Sequence, residues 1–186
     1  RVRAIAVMPF EDLSPLKDQG YLCEGLADEL ITRLIGVEGL KIPARASAFL
    51  LRGKGPQEIG QKLAVEAVLD GTLLRAGQKI HLNIQIIDAR NGYGLWSGKF
   101  DGDEKELSTL RDEVALKILE SLKVRLLGED RSKIVKNYTL NPEAYSLYLQ
   151  GRYFWNKRRP DEVEKAIDYF NQAIALDPDF ALAYAG

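Results

Sequence analysis

Among the adjacent carboxylates of the sequence, Glu11-Asp12 and Asp28-Glu29 are the pairs to weigh for chemistry. Successive residues on a helix point in different directions, so Asp28 and Glu29, inside a predicted helix, read as a solvated face. Glu11 and Asp12 follow the carboxyl end of a predicted first strand, where open α/β sheets commonly bind ligands. Arg45 and Ser47 end a predicted second strand, and with Glu11, Asp12 and Ser14 they outline a candidate ligand crevice. Ser47, near a helix start, is placed to hold an anion. Loop capping and solvation is the bland reading of the same residues. His81 is the only histidine and Cys23 the only cysteine. Neither has partners at metal-ligand or nucleophile-base spacing, so His81 reads as a solvent-facing strand residue and Cys23 as a small core side chain. Residues 36–39 and 53–55 are glycine-bearing but lack the spacing of a phosphate loop or dinucleotide fingerprint. These residues imply no catalytic group, no metal and no cofactor.

A second set of candidates could bind rather than react. Ala166, Phe170, Ala173 and Pro178 match the second half of a tetratricopeptide repeat at every spacing. With Ala144 as the first position, Tyr145, Tyr148, Arg152, Trp155 and Asn156 fall where such repeats face their concave groove. Tyrosine, tryptophan and arginine are the residue types that dominate interfaces. In the competing reading, Tyr148 and Trp155 pack against the preceding domain or a further repeat. Repeats that clamp a peptide carboxylate use Lys and Asn in the groove where Tyr148 and Arg152 stand, so a carboxylate ligand is not indicated.

The elements that must position these residues begin with a sheet. Ile80, Leu82, Ile84 and Ile86 alternate strictly with His81, Asn83 and Gln85, as a strand with one buried face requires. Ala76-Gly77-Gln78 before it and Arg90-Asn91-Gly92 after it carry turn residues, so 68–100 reads as a three-stranded antiparallel meander. Ala4 to Phe10 is an apolar run stopped by Pro9 and reads as a first, central strand buried on both faces. Leu22, Leu26, Leu30 and Leu34 give a helix over 21–37, with Glu24, Asp28 and Arg33 facing away. Residues 39–45 read as a second strand, at an edge or ending near Pro43. Two short helices follow, at 46–52 and 56–64. Asp103 with Glu106 offers an acidic N-cap to a long helix through Leu126, ended by Gly128. The predicted order, β-α-β-α-β-β-β-α, makes an α/β fold with a mixed five-stranded sheet covered by helices, followed by an all-α helical hairpin. The implied domains are residues 1–128, a linker at 129–140, and a repeat region at 141–186 with one complete repeat and the start of another.

With 26 basic and 27 acidic residues, the chain lacks the basic excess of a nucleic-acid binder. It contains no apolar run long enough to cross a bilayer and no signal peptide. Opening on Arg1, it reads as a soluble piece of a longer protein, tethered to a membrane through a missing upstream segment or cytoplasmic. One repeat and a fragment cannot bury a solenoid's faces, so further repeats are expected. A stripe of Phe180, Leu182 and Tyr184 would then promote self-association through this end.

Ile5 to Ser14, Gly25 to Ile31, Ala44 to Ser47, Val68 to Thr72 and Leu95-Trp96-Ser97 resemble the bacterial domains similar to the amino-terminal domain of TolB. The resemblance covers roughly residues 3 to 127, and 141–184 resembles the repeat array that often follows. Met8 replaces the usual leucine and keeps its volume and apolarity. The resemblance implies an α/β sandwich without catalytic activity, in the carboxy-terminal half of signalling proteins whose front half is a nucleotide cyclase, a winged-helix regulator or a protein kinase. Function is thus expected to be regulatory and non-catalytic: binding a protein or peptide partner and positioning an output domain. A small-molecule or anion sensor using the crevice is the alternative.

Overall fold

The computed structural model describes residues 2–122, 135 and 138–186. The α/β part is built on strands β1 (Ile5–Val7), β2 (Glu11–Asp12), β3 (Ala67–Ala76), β4 (Lys79–Asp88) and β5 (Gly94–Asp103). The alternation in β4 is realised: Ile80, Leu82, Ile84 and Ile86 are at most 2% exposed. Gly77, at φ +63°, turns β3 into β4, and the antiparallel register runs from Ala67↔Asp88 to Ala76↔Lys79. The strand order is β1-β3-β4-β5, and both β1 and β2 pair parallel to β3.

Two expectations about this sheet need correction. The first strand is not central; it lies at the end of the order, and β3 and β4 are the inner strands. The expected strand at 39–45 is a single bridge, in which Lys41 N–H donates to Arg3 O at 2.7 Å and Ile5 N–H donates to Lys41 O at 3.0 Å. Gly39 at φ +80° delivers the chain to that bridge, and Pro43, with no N–H to donate, cannot extend it. The second strand is instead Glu11–Asp12, which resumes along β3 the line that Pro9 interrupts in β1.

Helices cover both faces because β1 and the start of β3 are apolar on both. Ile5, Val7 and Leu69 face α1 (Gly20–Leu34) and α4 (Leu107–Ser121), while Ala6, Met8 and Val68 face α2 (Arg45–Phe49) and α3 (Pro56–Leu63). The anticipated acidic cap on α4 is not made. A 3-10 turn at Glu104–Glu106 precedes the helix, and the Asp103 carboxylate pairs with Lys79 Nζ at 3.0 Å. The predicted end of that helix at Leu126 and Gly128, and most of the linker at 129–140, lie outside the described residues.

Beyond it, α5 (Pro142–Asn156) and α6 (Pro160–Leu176) form an antiparallel hairpin followed by α7 (Ala181–Ala185). The Asn141 side chain accepts from Glu143 N and Ala144 N, at 3.0 and 3.1 Å, and each long helix starts on proline, where a missing N–H costs nothing. Phe180 is fully buried with its ring 5.1 Å from that of Tyr148. It is therefore not part of an exposed stripe, which shrinks to half-buried Leu182 and exposed Tyr184.

Gly151 is the contact on which the hairpin closes: a Cβ there would lie 2.5 Å from the Phe170 ring. Gly151→Ala is expected to push the helices apart and destabilise by roughly 1–3 kcal/mol, read as a lower urea midpoint. An unchanged midpoint would mean that the two helices do not meet there.

Candidate functional site

The polar face of α1 meets α5, and the meeting buries charge. Arg152 Nη2 donates to Asp28 Oδ2 at 2.7 Å, and Arg152 Nη1 donates to the Tyr148 hydroxyl at 3.3 Å. Arg111, from α4, donates to Glu29 Oε2 at 3.2 Å, to the Tyr145 hydroxyl at 3.0 Å and to Asp112 Oδ1 at 2.8 Å. Arg33 reaches Glu29 at 3.9 Å, one helical turn along. Between these charges Leu149 packs on Gly25, where a Cβ would lie 3.2 Å from its side chain.

Burial sets the electrostatics of this seam. Arg111 is 2% exposed and Glu29 8%. Burial works against the charge on Arg111, yet Tyr145, Glu29 and Asp112 outweigh it and raise its pKa. Burial, reinforced by Glu29, pushes the Tyr148 hydroxyl up to about 12 and raises Tyr145 further, so both stay protonated and able to donate. The arrangement ties the hairpin to the α/β part through bonds from both α1 and α4.

The carboxylates expected on a solvated face are therefore in the seam. Asp28 and Glu29 do diverge along α1, as successive helical residues must, but a second layer of helix covers that polar face. Arg33, also expected to face away, is 6% exposed. Of the groove candidates, Tyr145 and Tyr148 are buried in the seam and Arg152 is spent on Asp28 and Tyr148. Trp155 and Asn156 stay partly exposed, with the Arg158 guanidinium 4.7 Å from the Trp155 ring.

A cleft of about 520 Å³ opens at the carboxyl end of β1, lined by Met8, Phe10, Glu11, Asp12, Cys23 and Asp70, and by Tyr153 from the hairpin. Glu11 and Asp12 are on it as expected; Ser14, Arg45 and Ser47 are not among its lining residues. Buried Ser14 accepts from Arg75 N at 3.0 Å, Arg45 donates to Glu24 at 3.0 Å, and Ser47 is exposed. Arg52 and Lys54 line the cleft instead. The Asp12 carboxylate is an internal cap, accepting from Ser14 N and Gln19 N, both at 2.8 Å. Burial would raise its pKa, but these bonds outweigh it and hold the group below its ordinary 3.8. Burial raises Asp70 and takes the Cys23 thiol up to about 12, so Cys23 is not a thiolate. His81, half exposed on β4, has Nδ1 against Asp101 on β5.

The seam had one sequence signal that local patterning passes over. Arg111 follows Leu107 by four residues and precedes Val114 by three, so it sits on the apolar stripe of α4. A charge on such a stripe needs a buried partner, although the sequence cannot say that Glu29 is that partner.

Arg111→Met would take the hydrogen-bonding cation from two buried carboxylates, leaving Glu29 only the longer contacts to Arg33 and Tyr145, with an expected loss of roughly 3 kcal/mol, measured by chemical denaturation. A loss below 1 kcal/mol would place the pair in water. At Asp12 the folded-state pKa is lowered, so its stabilisation is complete above the ordinary value and is lost as pH falls through the lowered one. The stability difference between wild type and Asp12→Asn should accordingly shrink in acid below about pH 4, and a pH-independent difference would contradict the cap.

Residues 1–117 match the family model described as HilA/YgeH-like transcriptional regulator, second domain. The chain is also 32% identical over 184 residues to a curated Rhizobium meliloti (strain 1021) protein named "Putative adenylate cyclase 3", across 98% of this chain and 31% of that protein. It thus spans less than a third of that relative's length. Among solved structures, lipoprotein GNA1162 from Neisseria meningitidis aligns with TM-score 0.47 and 24% identity over 64% of this chain and 99% of that one. TolB from Acinetobacter baumannii aligns with TM-score 0.44 and 14% identity over 66% and 28%.

Proposed function

The chain belongs to the HilA/YgeH-like transcriptional regulator second-domain family, and from that membership we propose that it is a non-catalytic regulatory module of a bacterial signalling protein. In this reading the α/β domain (1–128) and the helical region (141–186), joined by a linker at 129–140, act together to bind a protein or peptide partner and to position an attached output domain. A nucleotide cyclase is the output the Rhizobium relative's name points to; a transcription regulator is the one the family description points to.

The observation that carries the reading is the seam. A hairpin held on the α/β part by Arg111, Glu29, Asp28 and Arg152 transmits force or orientation, which a floppy appendage cannot do. We read that hairpin as a tetratricopeptide-type unit, since Ala166 and Ala173 are fully buried and Phe170 fills the space beside Gly151. With Tyr145 and Tyr148 committed inward, the partner surface falls on the exposed side of Trp155 and Asn156. The cleft favours a second reading, in which a small ligand is sensed between Glu11 and Tyr153, one from each part of the chain.

The test is a chimera in which this chain replaces the matching third of the Rhizobium relative. Cyclase output should follow the module, changing at least about fivefold, or roughly 1 kcal/mol, when Asp28→Asn and Arg152→Met open the seam. Output indifferent both to these changes and to deletion of the module would refute the proposal, as would turnover by the isolated 186-residue chain that a single polar substitution abolishes.

A further inference from the structure

Among the described residues β5 pairs with β4 alone, so its other edge carries no strand. That edge is ten residues long, contains no proline, and has its one register shift at the far end, at Ile86/Ile87. Natural sheets usually blunt such an edge.

The hydrogen bonds say which groups point outward. Glu104 N–H donates to Gln78 O at 2.9 Å, one step outside the Lys79↔Asp103 pair, so that pair is a non-hydrogen-bonded one. Alternation then gives Gly98, Phe100 and Gly102 backbone groups facing β4. Ser97, Lys99, Asp101 and Asp103 turn theirs to the free edge. The side chains of the same four residues share the outer face of the sheet, where Lys99 is exposed and the Asp101 side chain is 73% exposed. Lys99 has no ion-pair partner among the described residues.

A symmetric antiparallel pairing must oppose outward-facing residues to outward-facing residues, which leaves few registers. A two-fold axis at Lys99 sets lysine against lysine, and one at Asp101 brings Lys99 opposite Asp103 but sets Asp101 against its own copy at the centre. An axis at Gly98 leaves Lys99 opposite Ser97 and Asp101 opposite Leu95. Only an axis at Phe100 puts Lys99 directly opposite Asp101, and symmetry does so twice.

We propose that the β5 edge is a self-association surface, on which a second copy of this chain adds its own β5 antiparallel about Phe100, held in register by two Lys99–Asp101 pairs. Lys99 then has two roles. It repels unrelated strands from an otherwise open edge, and it admits the copy whose aspartate neutralises it. The occupant follows from charge complementarity, and the surface lies apart from the helical end at Phe180–Tyr184.

Sedimentation of the 186-residue chain from about 5 to 500 µM reads the proposal directly. Wild type is expected to form a dimer. Lys99→Glu and Asp101→Lys, each of which puts like charges opposite one another, should each raise the dissociation constant about tenfold or more. The double variant carrying both changes, with the pairs restored in reverse, should return to near the wild-type value. Ser97→Pro removes an outward N–H and should weaken dimerisation without altering the β4–β5 ladder. Lys99→Glu is not expected to move the melting temperature of the monomer, whereas Asp101→Lys also removes the carboxylate beside His81 Nδ1 and is compared with wild type at a temperature where both are fully folded. A monomeric wild type throughout this range would overturn the proposal, as would a dimer insensitive to both reversals or a double variant no better than the single ones.

Discussion

The structure depends on Arg111 finding Glu29 across 82 residues of sequence. A guanidinium removed from water loses several kcal/mol of hydration, recovered only if carboxylates and hydroxyls meet it in good geometry. Here Glu29, Asp112 and Tyr145 do so together. Apolar packing such as Leu149 on Gly25 tolerates small slides of one helix on another, whereas a buried charged bond does not. The seam therefore contributes orientation more than net stability. That separates a hairpin that merely touches the α/β part from one whose angle to it is defined.

The sheet serves this interaction by holding α1 and α4 side by side. β3 pairs with β1 and β2 on one side and β4 on the other, so the apolar faces of Ile5, Val7, Leu69, Leu82 and Ile84 form one floor. On that floor α1 presents Glu29 and α4 presents Arg111 at the same height. The hairpin completes the layer, and its buried residues, Tyr145, Tyr148, Leu149 and Phe170, belong to the same continuous core as the floor. The cleft at the end of β1 is lined on one side by Tyr153 of the hairpin.

Much of the fold was legible because it is written in local periodicity. The alternation from Ile80 to Ile86 and the glycine and asparagine turns around it locate the meander, and leucines four apart locate α1. The position of β1 at the end of the strand order was not legible, because an apolar run reads the same whether covered by a strand or by helices and the Lys41 bridge. Residues 39–45 fooled the pattern for a similar reason: a short apolar stretch reads as a strand, yet it pairs at one point only, Lys41. Asp28, Glu29 and Arg33 were legible as polar but not as buried, since the partners of Glu29 and Asp28 lie 82 and 124 residues further on. Ser14, Arg45 and Ser47 were grouped with Glu11 and Asp12 by proximity to strand ends, and the structure gives them separate tasks.

Whether the hairpin and the α/β part are one mechanical unit is tested most directly by native-state hydrogen exchange. If the seam couples them, the slowest amides of α5, around Tyr148 and Leu149, should open with the same free energy and the same denaturant dependence as those of β4 around Leu82 and Ile84. If α5 opens several kcal/mol more easily than β4, while β4 remains fully protected, the hairpin is an independent appendage and the seam does not couple it to the sheet.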